Sequence, residues 1–479
     1  MEQATEATPR KSLGHGSGIG VLVISLALSA AVAGATLQYA HWPRQRAFML
    51  GIFVLAALLW VAEALPLFAT AILVVALQVI LLANPAGWPG LGFEGEPGPT
   101  MHGILASATD PVLVLFFGGF LLARAAVKEG VDSAMAGLIL RPFGARPARV
   151  LLGVMLVTAL FSMWMSNTAT AAMMLALLTP MLASLPAQER FRKGLVLAVP
   201  FAANIGGMGT PIGTPPNAVA VGFLRAQGIS LDFFGWMLIA VPLMLTMLLA
   251  AWALLWVLYR PHARDIRLQP THRPLTRRSL YVVFIFVLTV LLWLSEPWHG
   301  LPAAAVAMLP AVAFTAPGVL THHDVNHLDW NILILIAGGI SLGAGVQATQ
   351  LDQVVASLLA VNVAGSPLLL MALLVVATLL LSTFMSNTAA ANLLLPIAIA
   401  YAVARKDAAG FLPVQFALGI ALSASLAMAL PISTPPNALA CAGGEVNSRD
   451  MALPGALIGV VGGFLIVLAT GLLVRVWGG

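Results

Sequence analysis

Residues 161–174, Phe-Ser-Met-Trp-Met-Ser-Asn-Thr-Ala-Thr-Ala-Ala-Met-Met, place a small polar triplet in the middle of an apolar run. The triplet Ser166-Asn167-Thr168 returns as Ser386-Asn387-Thr388, an offset of 220 (386−166). Working outward, Thr214-Pro215-Pro216-Asn217 returns as Thr434-Pro435-Pro436-Asn437 (434−214), and Gly118-Gly119 as Gly338-Gly339 (338−118), again 220 apart. Three motifs at one fixed offset describe two copies of one unit. Backbone released from helices at membrane depth is tolerated only where it is buried in protein or lines a cavity, so duplicated helix-breaking motifs in apolar surroundings point to a transporter built from repeats.

Composition sets the solvent. Hydrophobic residues make up 60% of the 479 and charged residues only 9%, against about 25% charged in soluble proteins. The chain reads as an all-α integral membrane protein. Apolar runs at 19–38, 48–64, 66–84, 111–127, 195–210, 233–258, 279–295, 302–317, 330–346, 413–430 and 453–474 predict about eleven spans of roughly 20 residues. Two further segments, 150–184 and 367–404, each carry a polar break at the middle. They predict re-entrant hairpins that dip in and return.

Charge predicts the orientation. Arg141, Arg146 and Arg149 precede the first hairpin, and Arg190, Arg192 and Lys193 follow it. The stretch 259–278 carries Arg260, Arg264, Arg267, Arg273, Arg277 and Arg278 against the single acid Asp265. Positive loops face the cytoplasm, which predicts a cytoplasmic-side first hairpin and, from its charge-poor flanks, an external-side second one. Arg44 and Arg46 pull weakly the other way. The predicted organisation is a cytoplasmic tail 1–17, a first span 18–45, repeat 46–258, basic cytoplasmic linker 259–278 and repeat 279–479, with the N-terminus inside a cell inner (plasma) membrane. Residues 85–108, rich in Gly and Pro with Glu94 and Glu96, predict an external loop. The first apolar run is longer than the h-region of a cleavable signal. The net charge of +5 would hint at nucleic acid in a soluble chain, but here the basic residues sit in loops. Cys441, the single cysteine, excludes a disulfide framework and a thiolate metal cluster.

Hairpins that open to opposite faces make the repeats inverted, and such repeats meet at the bilayer midplane, where substrate and coupling ions bind. Ser and Asn favour helix N-caps, so each triplet predicts the start of a helix whose unpaired N–H groups attract an anion. The paired prolines of 207–220 (GMGTPIGTPPNAVA) and 428–440 (MALPISTPPNALA) remove donors and break the helix. Carbonyls freed there, with Ser, Thr and Asn oxygens, suit a hard cation such as sodium. The motifs contain no Asp, Glu, Lys, Arg or His. A proton-relay carboxylate and an arginine clamp are therefore absent from them, which favours cation-coupled uptake of an anion.

At these residues the chain resembles the divalent anion:sodium symporter family, which includes the bacterial dicarboxylate transporters. Trp60-Val61-Ala62-Glu63-Ala64-Leu65-Pro66 and Phe117-Gly118-Gly119-Phe120 carry the resemblance along with the doubled motifs. The resemblance implies a homodimer with a scaffold domain and a transport domain that moves as an elevator, carrying both hairpins. It implies one sodium held by Ser162, Ser166, Asn167 and the backbone near Gly213, and another by Ser382, Asn387 and the backbones near Met385 and Ser433. Substrate carboxylates would meet Ser166, Asn167 and Thr168 on one side and Ser386, Asn387, Thr388, Thr434 and Pro435 on the other. The expected function is sodium-coupled uptake of C4-dicarboxylates (succinate, malate, fumarate), with Na+ as coupling ion and no cofactor. Sodium-independent dicarboxylate exchange, or transport of citrate, sulfate or another divalent oxyanion, stays open.

Other features have plainer readings. A channel would need rings of charge or carbonyls, and a membrane enzyme a nucleophile or metal site. The nearest approach to the latter is His322, His323 and His327 with Asp324, beside Asp329, which reads as a solvated loop. The glycine pairs predict close helix packing. Glu63 predicts an interfacial or structural carboxylate, Arg124 and Lys128 predict snorkelling to the cytoplasmic surface, and the tryptophans, most of the eleven lying near span ends, predict interfacial anchors.

Overall fold

A computed structural model describes residues 15–94, 98–262, 275–362, 366–405 and 411–477. Residues 1–14, Glu96, Arg264, Asp265, Arg267, Arg273, Lys406 and Asp407 lie outside the described residues, and with them most of the expected tail and linker. Among the described residues all regular structure is helical. Helices α1 (His15–Gln38), α2 (Arg44–Ala62) and α3 (Leu67–Gln78, extended by a π turn) open the chain. There follow α4 (Met101–Ser107), α5 (Pro111–Lys128), α6 (Val131–Leu140), α7 (Pro147–Ser162), α8 (Asn167–Ala183), α9 (Phe191–Gly206), α10 (Pro215–Ala226) and α11 (Phe233–Leu258). Next come α12 (Arg277–Leu294) and the short α13 (Glu296–His299), α14 (Ala303–Val306), α15 (Met308–Thr315) and α16 (His322–Asn326). The chain ends in α17 (Trp330–Ala348), α18 (Leu351–Asn362), α19 (Pro367–Phe384), α20 (Asn387–Ala404), α21 (Phe411–Ala424), α22 (Pro435–Ala442) and α23 (Ser448–Trp477).

The offset of the motifs is also the offset of the helices. Adding 220 carries the first residues of α7, α8, α9 and α10 (147, 167, 191, 215) onto those of α19, α20, α21 and α22 (367, 387, 411, 435). Proline opens α7 and α19, and again α10 and α22, at a position where the missing N–H costs nothing. The two sets of helices interlock: α10 packs against α20 and α21, while α22 packs against α8 and α9.

Nine helices among the described residues are long and apolar enough to cross a membrane, two of them α19 and α20, the arms of the expected second hairpin; the other seven match seven of the eleven expected spans. The apolar run 302–317 breaks into α14 and α15 around Ala307, three residues before the helix-interrupting Pro310. Runs 195–210 and 413–430 end as helices at Gly206 and Ala424, because each enters the unwound loop ahead of its Pro-Pro pair. In the expected loop 85–108, Thr100 caps α4 by accepting a hydrogen bond from Gly103 N at 3.0 Å, so the chain is helical from Met101.

The glycine pairs pack closely. A Cβ at Gly118 would lie 2.7 Å from the Ala307 Cβ, and one at Gly338 would lie 2.7 Å from the Ala71 Cα. Helix α1 packs along α2 and carries exposed Ile19, Val23 and Ile24 on its other faces.

Candidate functional site

Each hairpin turns at its Ser-Asn-Thr. In the first, Ser166 caps α8, its Oγ accepting from Ala169 N at 3.3 Å. Ser162, the last residue of α7, lies with its Oγ 2.7 Å from the Asn167 Oδ1 and 2.7 Å from the Ala203 carbonyl. In the second, Ser386 caps α20 through Ala389 N at 3.2 Å. Ser382 Oγ lies 2.6 Å from Asn387 Oδ1 and 2.9 Å from the Ala424 carbonyl.

A hydroxyl carries one proton, whereas each serine here meets two oxygens that only accept. Each cluster of three oxygens is therefore one donor short, and a cation among them would relieve the repulsion. Both serines are fully buried. The first cluster sits in a cradle of bare backbone. A Cβ at Gly207 would come 2.6 Å from Asn167 Oδ1 and 2.5 Å from Thr214 Cγ2, and one at Gly213 would come 2.9 Å from Gly207 Cα.

The unwound loops are tied down by the asparagines of the Pro-Pro motifs. Asn217 Nδ2 donates to the carbonyls of Gly207 (3.0 Å) and Thr210 (2.8 Å). Asn437 Nδ2 does the same for Met428 (3.1 Å) and Leu430 (3.0 Å). Each loop is also pinned to its own hairpin, the Thr210 hydroxyl donating to Met163 O and the Ser433 hydroxyl to Thr383 O (2.9 Å).

Of the residues expected from the sequence, Ser162 and Asn167 come together directly, as do Ser382 and Asn387. Thr434 joins the first group through Asn204, whose Nδ2 donates to Thr434 Oγ1 at 3.1 Å and which accepts from Asn167 Nδ2 at 3.4 Å. Thr168 is exposed while its counterpart Thr388 is buried, and Pro435 is exposed as the first residue of α22. Met385 separates the two helices of its hairpin and packs into a cluster with Met49, Ala71 and Leu335. Asn204 and the carbonyls of Ala203 and Ala424 were not anticipated. Asn204 has alanine as its counterpart 220 residues on, and main-chain ligands have no residue signature.

The rings around the first hairpin form a stack. Trp164 lies 5.9 Å from Phe233 at 8° and 6.3 Å from Trp293 at 3°, and Phe233 lies 5.0 Å from Trp293 at 11°. Arg192 Nε donates to Glu445 Oε2 at 3.0 Å, and Lys193 Nζ lies 2.8 Å from Asp450 Oδ1, joining α9 to the segment ahead of α23 and to its first turn. The hydrogen bond from Arg192 holds the Glu445 carboxyl below its ordinary range, against its partial burial.

One expectation is corrected. Asp324 is not in a solvated loop: it is 5% exposed and caps α16, accepting from Thr321 N at 2.9 Å. Arg124 and Lys128, expected to snorkel, are both paired with Asp324, at 3.2 and 2.5 Å. Among the described residues no group of three His, Cys, Asp or Glu is arranged to hold a metal.

A family model described as the sodium:sulfate symporter transmembrane region matches residues 21–478. The chain belongs to this family. Relatives agree along most of its length. An uncharacterized transporter of Haemophilus influenzae is 31% identical over 441 residues, covering 88% of this chain and 90% of the relative. The sodium-dependent dicarboxylate transporter SdcS of Staphylococcus saprophyticus is 28% identical over 469 residues, covering 88% and 86%. Among solved structures, the YdaH transporter of Alcanivorax borkumensis matches with a TM-score of 0.56 at 14% identity, over 88% of this chain and 98% of that one. This family member is therefore a membrane transporter and not an enzyme.

Proposed function

We propose that the chain is a secondary active transporter that couples the uptake of C4-dicarboxylates such as succinate, malate and fumarate to sodium. The observation that carries this reading is the doubled, donor-deficient oxygen cluster at Ser162 and Ser382. Each lies beside the capped N-terminus of α8 or α20, so a cation site adjoins a helix end that favours an anion. One sodium is held by Ser162, Ser166, Asn167 and the backbone near Gly213, the other by Ser382, Asn387 and the backbones near Met385 and Ser433. The dianion binds between Ser166, Asn167 and Thr168 and Ser386, Asn387, Thr388, Thr434 and Pro435. With no ionised side chain in the motifs, its charge is balanced by the helix ends and the bound sodium ions. The dicarboxylate carried by the Staphylococcus relative's name and the doubled triplet favour carboxylates as substrate.

In this reading α7–α8 and α19–α20 are re-entrant hairpins. For the first hairpin this reading is supported by length: at 1.5 Å per residue, α7 and α8 (16 and 17 residues) reach only about 24–26 Å, less than a hydrocarbon core of about 30 Å. For α19–α20, each long enough to cross, it is supported by the repeat with α7–α8. The two repeats are inverted, the first hairpin opening to the cytoplasm and the second outward. The protein works as a homodimer of elevators in the plasma membrane, its N-terminus cytoplasmic.

The test is uptake of labelled succinate into proteoliposomes, with sodium or potassium outside and with empty or succinate-loaded lumens. Accumulation driven by an inward sodium gradient into empty vesicles supports the symporter. Uptake indifferent to sodium but dependent on internal dicarboxylate makes the protein an exchanger.

A further inference from the structure

Asn204, on α9, is fully buried and stands where the two interlocked halves meet. Its side chain has three partners. The Oδ1 accepts from Asn167 Nδ2 (3.4 Å), whose own Oδ1 faces Ser162 in the first oxygen cluster. The Nδ2 donates to Thr434 Oγ1 (3.1 Å) and to Asn437 Oδ1 (3.2 Å) at the start of α22. Since Asn437 fastens the carbonyls of Met428 and Leu430, this single amide connects the first cluster to the unwound loop of the other half.

The connection runs one way. The residue 220 positions on is Ala424, which has no side-chain polar group, and the counterpart of Asn437 shows the effect. Asn217 Oδ1 is buried without a partner, while Asn437 Oδ1 has the Asn204 amide. The nearest substitute is a 3.4 Å contact between Thr214 Oγ1 and Ser425 Oγ. A duplicated site would gain nothing from this asymmetry if the amide only filled space.

We propose that Asn204 is the positioning residue that couples occupancy of the first cation cluster to the Thr434 loop that receives the anion. This rests on the sodium-coupled reading above. By accepting from Nδ2, Asn204 fixes the Asn167 amide with its oxygen toward the cation. Any shift of Asn167 on cation binding moves Asn204, and with it the hydroxyl of Thr434. Coupling of this kind is reciprocal, so succinate tightens sodium by the factor that sodium tightens succinate.

The test is thermal stabilisation of the purified full-length protein, titrated with sodium chloride against a potassium chloride background and then with succinate at fixed sodium. Asn204→Ala is expected to raise the half-saturating concentrations of both by about 10-fold, within the usual range of coupling. Asn204→Asp keeps the shape and the oxygen facing Asn167 but loses the amide donor to Thr434 and Asn437. It is expected to keep the sodium midpoint within about 3-fold and to raise the succinate midpoint by about 10-fold. A purely structural role would move both midpoints together or neither. If Asn204→Ala does not fold, the near-isosteric Asp variant carries the test alone. A wild-type protein stabilised equally by sodium and potassium overturns the transport reading and this inference with it. A sodium-responsive wild type matched by Asn204→Asp in both titrations overturns the inference alone.

Discussion

The two hairpin tips have the same serine–asparagine–carbonyl geometry and different mountings. At the first, Trp164 is held in the stack with Phe233 and Trp293. At the second, the residue in the same position of the repeat, Phe384 (384−164 = 220), is 68% exposed. The serine–asparagine–carbonyl cluster a few residues away is nearly superimposable in its distances. The oxygen cluster is thus duplicated between the halves, while the ring that docks against the rest of the protein has diverged. One tip is fastened to α12 in this conformation and the other has its aromatic side chain free.

The comparison is broken most severely by removing the shared asparagine. Asn167→Ala and Asn387→Ala each delete an oxygen of one serine–asparagine–carbonyl cluster and disturb the helix start beside it. Uptake is expected to fall by more than about 100-fold with the protein still folded by size-exclusion chromatography. Normal uptake by either variant would end the shared-site reading. A smaller and one-sided effect is expected from Gly207→Ala, whose Cβ would press on Asn167 Oδ1 and Thr214. It should weaken sodium stabilisation by about 10-fold, the equivalent of about 1.4 kcal/mol. In the second half, Ser433→Ala, which loses only a hydrogen bond to the Thr383 carbonyl of its own hairpin, should cost about 1 kcal/mol.

The mountings are compared directly by trimming each ring. Trp164→Ala removes a large side chain from a stack and should destabilise the fold by about 2–3 kcal/mol, whereas Phe384→Ala should stay within about 0.5 kcal/mol. Denaturant midpoints measured side by side decide this, and equal losses would mean that the second tip is covered in the working protein. The mildest effect is expected from the brace at the base of the first half. Arg192 and Glu445 have no counterpart pair in the repeat, their equivalents being Leu412 and Arg225. The Glu445 carboxyl is held below its ordinary range when folded. Its contribution is therefore complete above the unfolded carboxylate's pKa and is lost as pH falls through the lowered folded value. Glu445→Gln should lower the melting temperature at pH 7 and differ less from wild type near pH 4.

Much of this was legible in the sequence because the repeat marks it twice. Ser166 and Ser386 could be read as helix starts since a serine followed by small residues in an apolar run has few other roles. The double prolines likewise announced α10 and α22. What escaped was whatever the repeat does not mark. Asn204 looks like one polar residue in an apolar helix, because its partners are set by how α9 meets α22. Asp324 sits among three histidines in a run that resembles a surface loop, and only folding brings Arg124 and Lys128 from 200 residues away to bury it. The run 302–317 has enough apolar residues for a span, and hydropathy does not register the break near Pro310.

The reciprocal seating of α10 on α20–α21 and of α22 on α8–α9 has a consequence for how such a chain arises. Neither half packs its hairpin alone, since each borrows a short helix from the other. A half-length ancestor would have been useless alone and functional only on meeting another copy of itself and exchanging that helix. Fusing the two copies into one gene would fix the partnership, and would leave each copy free to change alone, as Asn204 and Ala424 now differ.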